Sequence, residues 1–422
     1  MDYIGNALNR ILKAIFERKS RKIPFRVPFN SAIDWFLDEA SASEELPDSG
    51  IHVLKYDEVN SNHIYIVGVD GSSRRFSTPY GGFALATVSV TWGPLPVGDY
   101  PPLGYIYPLK IPIKKPFIST YSSILKSEEI NSICITVTSP SGSPYEEEGE
   151  KGVSLADMAH EIRTTLETYG LEIATKSLEC LGIDDKFRII VLDGPLYQRP
   201  WKRELMRNPI LRADWEVLTK ERVKVLKNLW QERELPVVAS VKRLEKSRYL
   251  VHIHGTLMNY INTPFPKQDN DVAEAYALAD VYVREKDLKG LDPLLIGPFL
   301  ICPSALGVPE GIEAPNIVYA YLIFPVMPYN GKLDNVHKCI LRLEVLEDVY
   351  NKYGVNVFKR CLRDISLYKG LFTSQYYADS RCRECSKVLF IYTCKEAMNM
   401  GVELSYDTRL YLSMIQGGED VE

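Results

Sequence analysis

The amino-acid sequence predicts an α/β chain, a mixed β-sheet flanked by helices, with large Pro-rich insertions. Three observations carry this. Short β-branched runs recur and end in Gly-containing turns, two long amphipathic segments lie between some of them, and prolines crowd the stretches outside these elements.

The chain begins with an amphipathic helix, Met1 to Arg18, in which Ile4, Leu8, Ile11, Leu12, Ile15 and Phe16 fall at helical spacing with Arg10, Lys13 and Arg18 between them. Ile64 to Val69 reads as a strand ending in Asp70-Gly71-Ser72-Ser73-Arg74-Arg75, and after a turn at Gly81-Gly82 the run Phe83 to Trp92 returns as its hairpin partner. Prolines 94, 96, 101, 102, 108, 112 and 116 forbid a long helix in the next stretch. Ile133 to Val137 is a further strand, and the polar, acidic run Ser139 to Gly152 reads as a mobile loop.

A helix from Ser154 to about Cys180 follows, with Ser154 as N-cap and Asp157 three positions on. Phe187 to Leu192 is continuously apolar, as suits the middle of a sheet, and ends in Asp193-Gly194-Pro195-Leu196. A basic amphipathic helix, Ile210 to Gln231, leads to the strand Val237 to Val241, which ends at Lys242. His252 and His254 alternate as on a strand. Residues 255–328 are Pro-rich and decorate the core, with Ile317 to Phe324 their best strand. Cys339 to Val345 is a strand, and a helix from Gln375 to about Met398 closes the fold.

The division expected is an N-terminal helical segment over 1–50, serving a dimer or partner contact, a catalytic core over 51–254, an inserted segment over 255–335 and a C-terminal part over 336–422. Lys and Arg number 50 against 55 Asp and Glu, a net charge of −5, which excludes a wholly cationic nucleic-acid coat but not a local basic groove. The first eighteen residues lack the unbroken apolar core of a signal peptide, and Pro298 and Pro303 interrupt the most apolar stretch, so a soluble, cytoplasmic protein with no membrane contact is expected. Of eight cysteines only Cys382 and Cys385 form a C-x-x-C pair, with no second pair at zinc spacing, so free buried thiols are expected.

Two carboxylates, Asp70 and Asp193, stand at the ends of apolar strands and directly before Gly, where a ligand can come close. If the strands are neighbours, the carboxylates converge and repel unless a divalent cation sits between them, and hard oxygen ligands favour magnesium or manganese. The helix before Asp193 offers Glu161, Glu167, Glu172 and Glu179. Glu172 and Glu167 lie on different helical faces, so at most one of them points at such a site. Lys242 at its strand end could stabilise charge growing on a phosphate, and Arg74 and Arg75 could bind a phosphodiester.

The motifs Val67-Gly68-Val69-Asp70-Gly71-Ser72, the glutamate-bearing helix, Val191-Leu192-Asp193-Gly194-Pro195-Leu196, Val238-Ala239-Ser240-Val241-Lys242 and Tyr377-Ala378-Asp379 stand in an order that resembles the NurA nuclease family. The likeness runs from about Ile64 to Lys387. It implies an RNase H-like fold, two manganese or magnesium ions, a homodimer and work with a HerA-type hexameric ATPase in DNA end resection and double-strand break repair. It further implies 5′-3′ exonuclease activity on single- and double-stranded DNA, with endonuclease activity on single strands. Matched residue by residue, Asp70, Glu172, Asp193 and Asp379 are the implied metal ligands, with Glu167 in reserve, and Lys242 is the active-site lysine. Asp379 falls where some members carry histidine.

Two other readings compete. Actin-like ATPases and sugar kinases share the core topology, but their turns are richer in Gly and Thr and they add a Gly-Gly adenosine motif that is missing here. A non-catalytic DNA-binding subunit would keep the fold and lose carboxylates, whereas this chain has one at every expected position.

Overall fold

The computed structural model describes residues 2–25, 43–55, 64–103, 111–125, 133–147, 152–180, 187–198, 208–288, 292–326, 337–366 and 370–416. In chain order these form α1 (Asp2–Ser20), β1 (Ser43–Val53), β2 (Ile64–Thr78), β3 (Gly81–Trp92), β4 (Leu95–Tyr100), β5 (Ile118–Thr120), β6 (Ile135–Thr136), α2 (Leu155–Cys180) and β7 (Phe187–Asp193). Then come α3 (Pro209–Arg233), β8 (Val237–Val241), α4 (Tyr249–His252), α5 (His254–Leu257), α6 (Asp271–Glu285), β9 (Leu294–Ile301), β10 (Ile317–Val326) and β11 (His337–Leu346). The remainder is α7 (Glu347–Tyr353), α8 (Asn356–Cys361), β12 (Ile365–Ser366), β13 (Leu371–Phe372), α9 (Thr373–Asn399) and α10 (Tyr406–Gln416).

One mixed sheet organises the chain, in the order β1, β9, β10, β11, β8, β7, β2, β3, β5, β6, with β4 paired to β3. β2 and β3 form the expected hairpin, in register from Thr78↔Gly81 to Val67↔Trp92. The strand of β2 does not stop at Val69, however. The parallel pairing with β7 ends at Val69↔Leu192, while the antiparallel pairing with β3 carries β2 on to Thr78. Asp70 therefore lies inside a strand and at the end of a parallel pair. β8 runs parallel to β7, with Asp193 opposite Ser240. Asp70, Asp193 and Lys242 accordingly emerge at one carboxyl edge of three adjacent strands.

Helices cover both faces of β2 and β3: α9 on one, α2 on the other, with α3 packed behind α2. Ser154 caps α2 as expected, its Oγ accepting the Asp157 N–H at 3.2 Å and donating to Asp157 Oδ2 at 2.6 Å. Asn208 caps α3. Two glycines permit close approach of helix to sheet. A Cβ on Gly68 would lie 2.4 Å from the Ser374 carbonyl at the start of α9, and one on Gly170 of α2 would lie 2.7 Å from both Val69 and Val88.

Several expectations need correction. Segment 255–335 does more than decorate, since it supplies β9 and β10 to the continuous sheet, and β1 joins that sheet across the expected boundary at residue 50. His252 and His254 end and begin short helices, not a strand, and His254 Nδ1 bonds Glu274. Residues 139–147 of the acidic run are held, with Tyr145 buried and its hydroxyl donating to Glu161 Oε2 at 2.7 Å, while 148–151 fall outside the described residues.

The apolar stripe of α1 is spent on the chain itself. Ile4, Leu8, Ile11, Leu12 and Ile15 are all buried, against β3 and α9, at about 1.5–3 kcal/mol each. Arg18, one of the cations between the apolar positions, is buried in an ion pair with Glu147. Among the described residues no helix is long and apolar enough to cross a membrane.

Candidate metal centre

Alternation along β2 divides its side chains between the two helical layers. Gly68, Asp70, Ser72 and Phe76 face α9, where Ser72 Oγ bonds Ser386 Oγ at 3.0 Å and Phe76 meets Phe390. Val69 and Gly71 face α2. Opposite Asp70, α9 presents Gln375, Asp379 and Cys382, whose i, i+4, i+7 spacing puts them on one stripe. The helix is pinned there by Thr91 Oγ1 donating to the Ser374 carbonyl at 2.7 Å and Thr87 Oγ1 to the Cys382 carbonyl at 2.8 Å.

Asp70 is only 3% exposed. Its Oδ1 accepts the Gly71 N–H at 2.7 Å, but its Oδ2 is buried without a hydrogen-bond partner among the described residues. Asp193 is fully engaged: Oδ1 accepts from Gln375 Nε2 at 2.7 Å and Oδ2 lies 2.7 Å from Lys242 Nζ. Asp379 pairs with Arg383 at 2.8 Å on the next turn of α9. One ligand atom each from Asp70, Asp379 and Cys382 lies within 4.8 Å of the others.

The electrostatics follow from this packing. Burial drives the Asp70 carboxyl well above the usual carboxylate range, and repulsion from Asp193 and Asp379 adds to it, against weaker attraction from Lys242 and Arg163. Burial opposes the charge on Lys242, yet Asp193, Asp70 and Asp379 together outweigh it and raise its pKa. Burial likewise pushes the Cys382 thiol up and keeps it protonated. Asp193 has Lys242 and Asp379 has Arg383, which leaves Asp70 as the carboxyl of this cluster with no salt-bridge partner among the described residues. An orphaned carboxylate oxygen among converging acids is what a divalent cation repairs, so these residues fit a metal whose ligands are mainly oxygen.

Asp70, Asp193, Lys242 and Asp379 thus lie together at one edge of the sheet. Glu172 does not. Gly170 seats against the sheet, and two residues further on a helix turns about 200°, so Glu172 points away and is exposed. Glu167, on the sheet side, reaches β2 instead: a Cβ on Gly71 would lie 2.7 Å from Glu167 Cγ. It is held there by Arg163 Nε at 2.8 Å and by the fully buried Arg222, whose Nη2 is 3.5 Å away. Arg74 and Arg75 leave the site as well, since Arg74 stacks 5.1 Å over the Tyr411 ring and Arg75 is exposed on the other face of β2. Gln375 and Cys382 were not predicted as site residues. Their spacing with Asp379 along one helix was the available signal.

A model of the NurA domain matches residues 65–382. Among solved structures the chain is similar to the NurA nuclease from Sulfolobus solfataricus, at 13% identity, over 95% of this chain and 96% of that one, with a TM-score of 0.41. It is also similar to a structure of NurA at 10% identity (80% and 86% covered, TM-score 0.36) and to one of NurA with manganese at 9% identity (93% and 98%, TM-score 0.38). Comparison with curated protein sequences finds no match.

Proposed function

The chain belongs to the NurA family, and from that premise we propose that it is a metal-dependent deoxyribonuclease. The observation that supports this reading most is buried Asp70, whose Oδ2 has no hydrogen-bond partner among the described residues and one of whose carboxylate oxygens lies within 4.8 Å of a ligand atom of Asp379. Asp70, Asp193 and Asp379 would hold manganese or magnesium, in two ions. A divalent cation bound there would lower the pKa of an attacking water and offset charge on the leaving oxygen.

The chain's own residues do the rest. Gln375 fixes the Asp193 carboxylate by its amide N–H, so that Asp193 cannot rotate away from the edge. Lys242, within reach of Asp193, carries a positive charge that offsets the charge growing on the phosphate oxygens. Glu167, braced by Arg163 and Arg222, presses on Gly71 and keeps the Asp70 peptide in register.

In this reading β3, β2, β7 and β8 are the RNase H-like core. The substrate is DNA, single- or double-stranded, degraded 5′ to 3′ with endonucleolytic cuts in single strands, in a cytoplasmic homodimer that acts with a HerA-type hexameric ATPase in end resection and break repair. With the α1 stripe buried, that ATPase docks elsewhere. The test is digestion of end-labelled DNA with manganese present and with a chelator. Manganese-dependent loss of label supports the proposal, and an inert protein at every metal tested refutes it.

A further inference from the structure

Cys382 is out of place in a purely hard-ion centre. Its side chain is buried on the stripe of α9 that faces Asp70, and its sulfur lies within 4.8 Å of a carboxylate oxygen of both Asp70 and Asp379. The sulfur's own hydrogen bond is the weak 3.2 Å contact to the Asp379 carbonyl one turn back. Cys385, the other half of the C-x-x-C pair, is committed elsewhere, to Asp99 Oδ2 at 3.3 Å. The cluster thus offers one sulfur and two carboxylates, one of them Asp70 with an oxygen that has no hydrogen-bond partner among the described residues.

We propose that Asp70, Asp379 and Cys382 form a binding site for a thiophilic divalent cation of the zinc, cadmium or cobalt class, which competes with the hard cation for the same two carboxylates. Sulfur selects softer metals than oxygen does, so a site with both accepts either kind and is tuned by whichever is abundant. The thiol proton passes to solvent as sulfur takes the cation. The competition rests on the nuclease centre read above, whereas the ligand set stands on the geometry alone.

The experiment titrates the full chain with cobalt under anaerobic conditions and follows the near-ultraviolet thiolate-to-cobalt charge-transfer absorption. The wild type should develop the band, excess manganese should suppress it, and Cys382→Ser should lose it while Cys180 and Cys302 remain as internal controls. Asp70→Asn should weaken the cobalt titration at least about tenfold, which keeps the proposal open to refutation if the cysteine variant fails to fold. A band that persists in Cys382→Ser, fails to form in the wild type, or ignores manganese overturns the proposal. Manganese-dependent DNA digestion is run on the wild-type sample alongside. A band without digestion fails the nuclease reading and leaves the thiophilic site standing, and digestion without a band does the reverse.

Discussion

Replacing Gly68 with Ala adds one methyl group and nothing else, yet its Cβ would sit 2.4 Å from the carbonyl carbon and oxygen of Ser374 and 2.7 Å from the Gln375 nitrogen. These are backbone atoms at the start of a helix and cannot rotate aside. Restoring an ordinary contact of about 3.5 Å requires α9 to retreat by about 1 Å. Such overpacking costs about 1–3 kcal/mol, read as a lowered denaturant midpoint. The larger effect is functional, because Gln375, Asp379 and Cys382 ride on the displaced stripe and Thr91 loses its bond to the Ser374 carbonyl. Misplacing positioning groups by about 1 Å costs about a hundredfold in rate. Gly68→Ala should therefore retain a folded spectrum and lose about two orders of magnitude of manganese-dependent cleavage. Wild-type stability together with a wild-type rate would refute the close seating of α9 on β2.

Other outcomes follow from the same geometry. Glu167→Ala should destabilise by about 3–5 kcal/mol because it strands the buried Arg222, whereas Glu172→Ala should change neither the melting temperature nor cleavage, and a combined denaturation and digestion assay separates them. Ile11→Asp buries an unpaired carboxylate under α1 and should unfold the protein or sharply lower its melting temperature, as thermal denaturation will show. Burial pushes the Asp364 carboxyl up to about 6, against hydrogen bonds from the Ser374 N–H and hydroxyl. Its folded pKa exceeds the unfolded one, so the native state binds the proton more tightly, and stability falls as pH rises from about 4 to 6. Asp364→Asn should remove that slope and gain about 3 kcal/mol at neutral pH, measured by denaturant melts across the window.

Much of this was legible in the sequence because period and punctuation are local. The hairpin of β2 and β3 follows from alternation around Gly81-Gly82, and the start of α2 from Ser154 and Asp157. Asp70 and Asp193 were marked by glycine after an apolar run. What escaped detection was set by packing between distant segments. Whether Glu167 or Glu172 turns toward β2 depends on which residue of α2 seats on the sheet, and Gly170 decides it only through contact with Val69 and Val88. The strand character of β9 and β1 is settled by their pairing with each other across most of the chain, Glu45 opposite Phe299 and His52 opposite Leu295. Gln375 is marked locally only by its helical spacing with Asp379, and its role arises from the bond to Asp193, 182 positions away.

On the proposed function Asp70 is a metal ligand before it is a structural residue. The direct measurement is the manganese-dependent cleavage rate of Asp70→Asn on end-labelled DNA, paired with its melting temperature in metal-free buffer. Loss of a shared ligand should slow cleavage at least about a thousandfold. Because the substitution removes a buried carboxyl that has no salt-bridge partner among the described residues and whose burial outweighs the attraction of Lys242 and Arg163, the metal-free variant should melt no lower than the wild type. A variant that cleaves at nearly the wild-type rate, or one that is inactive only because it has unfolded, would contradict the account.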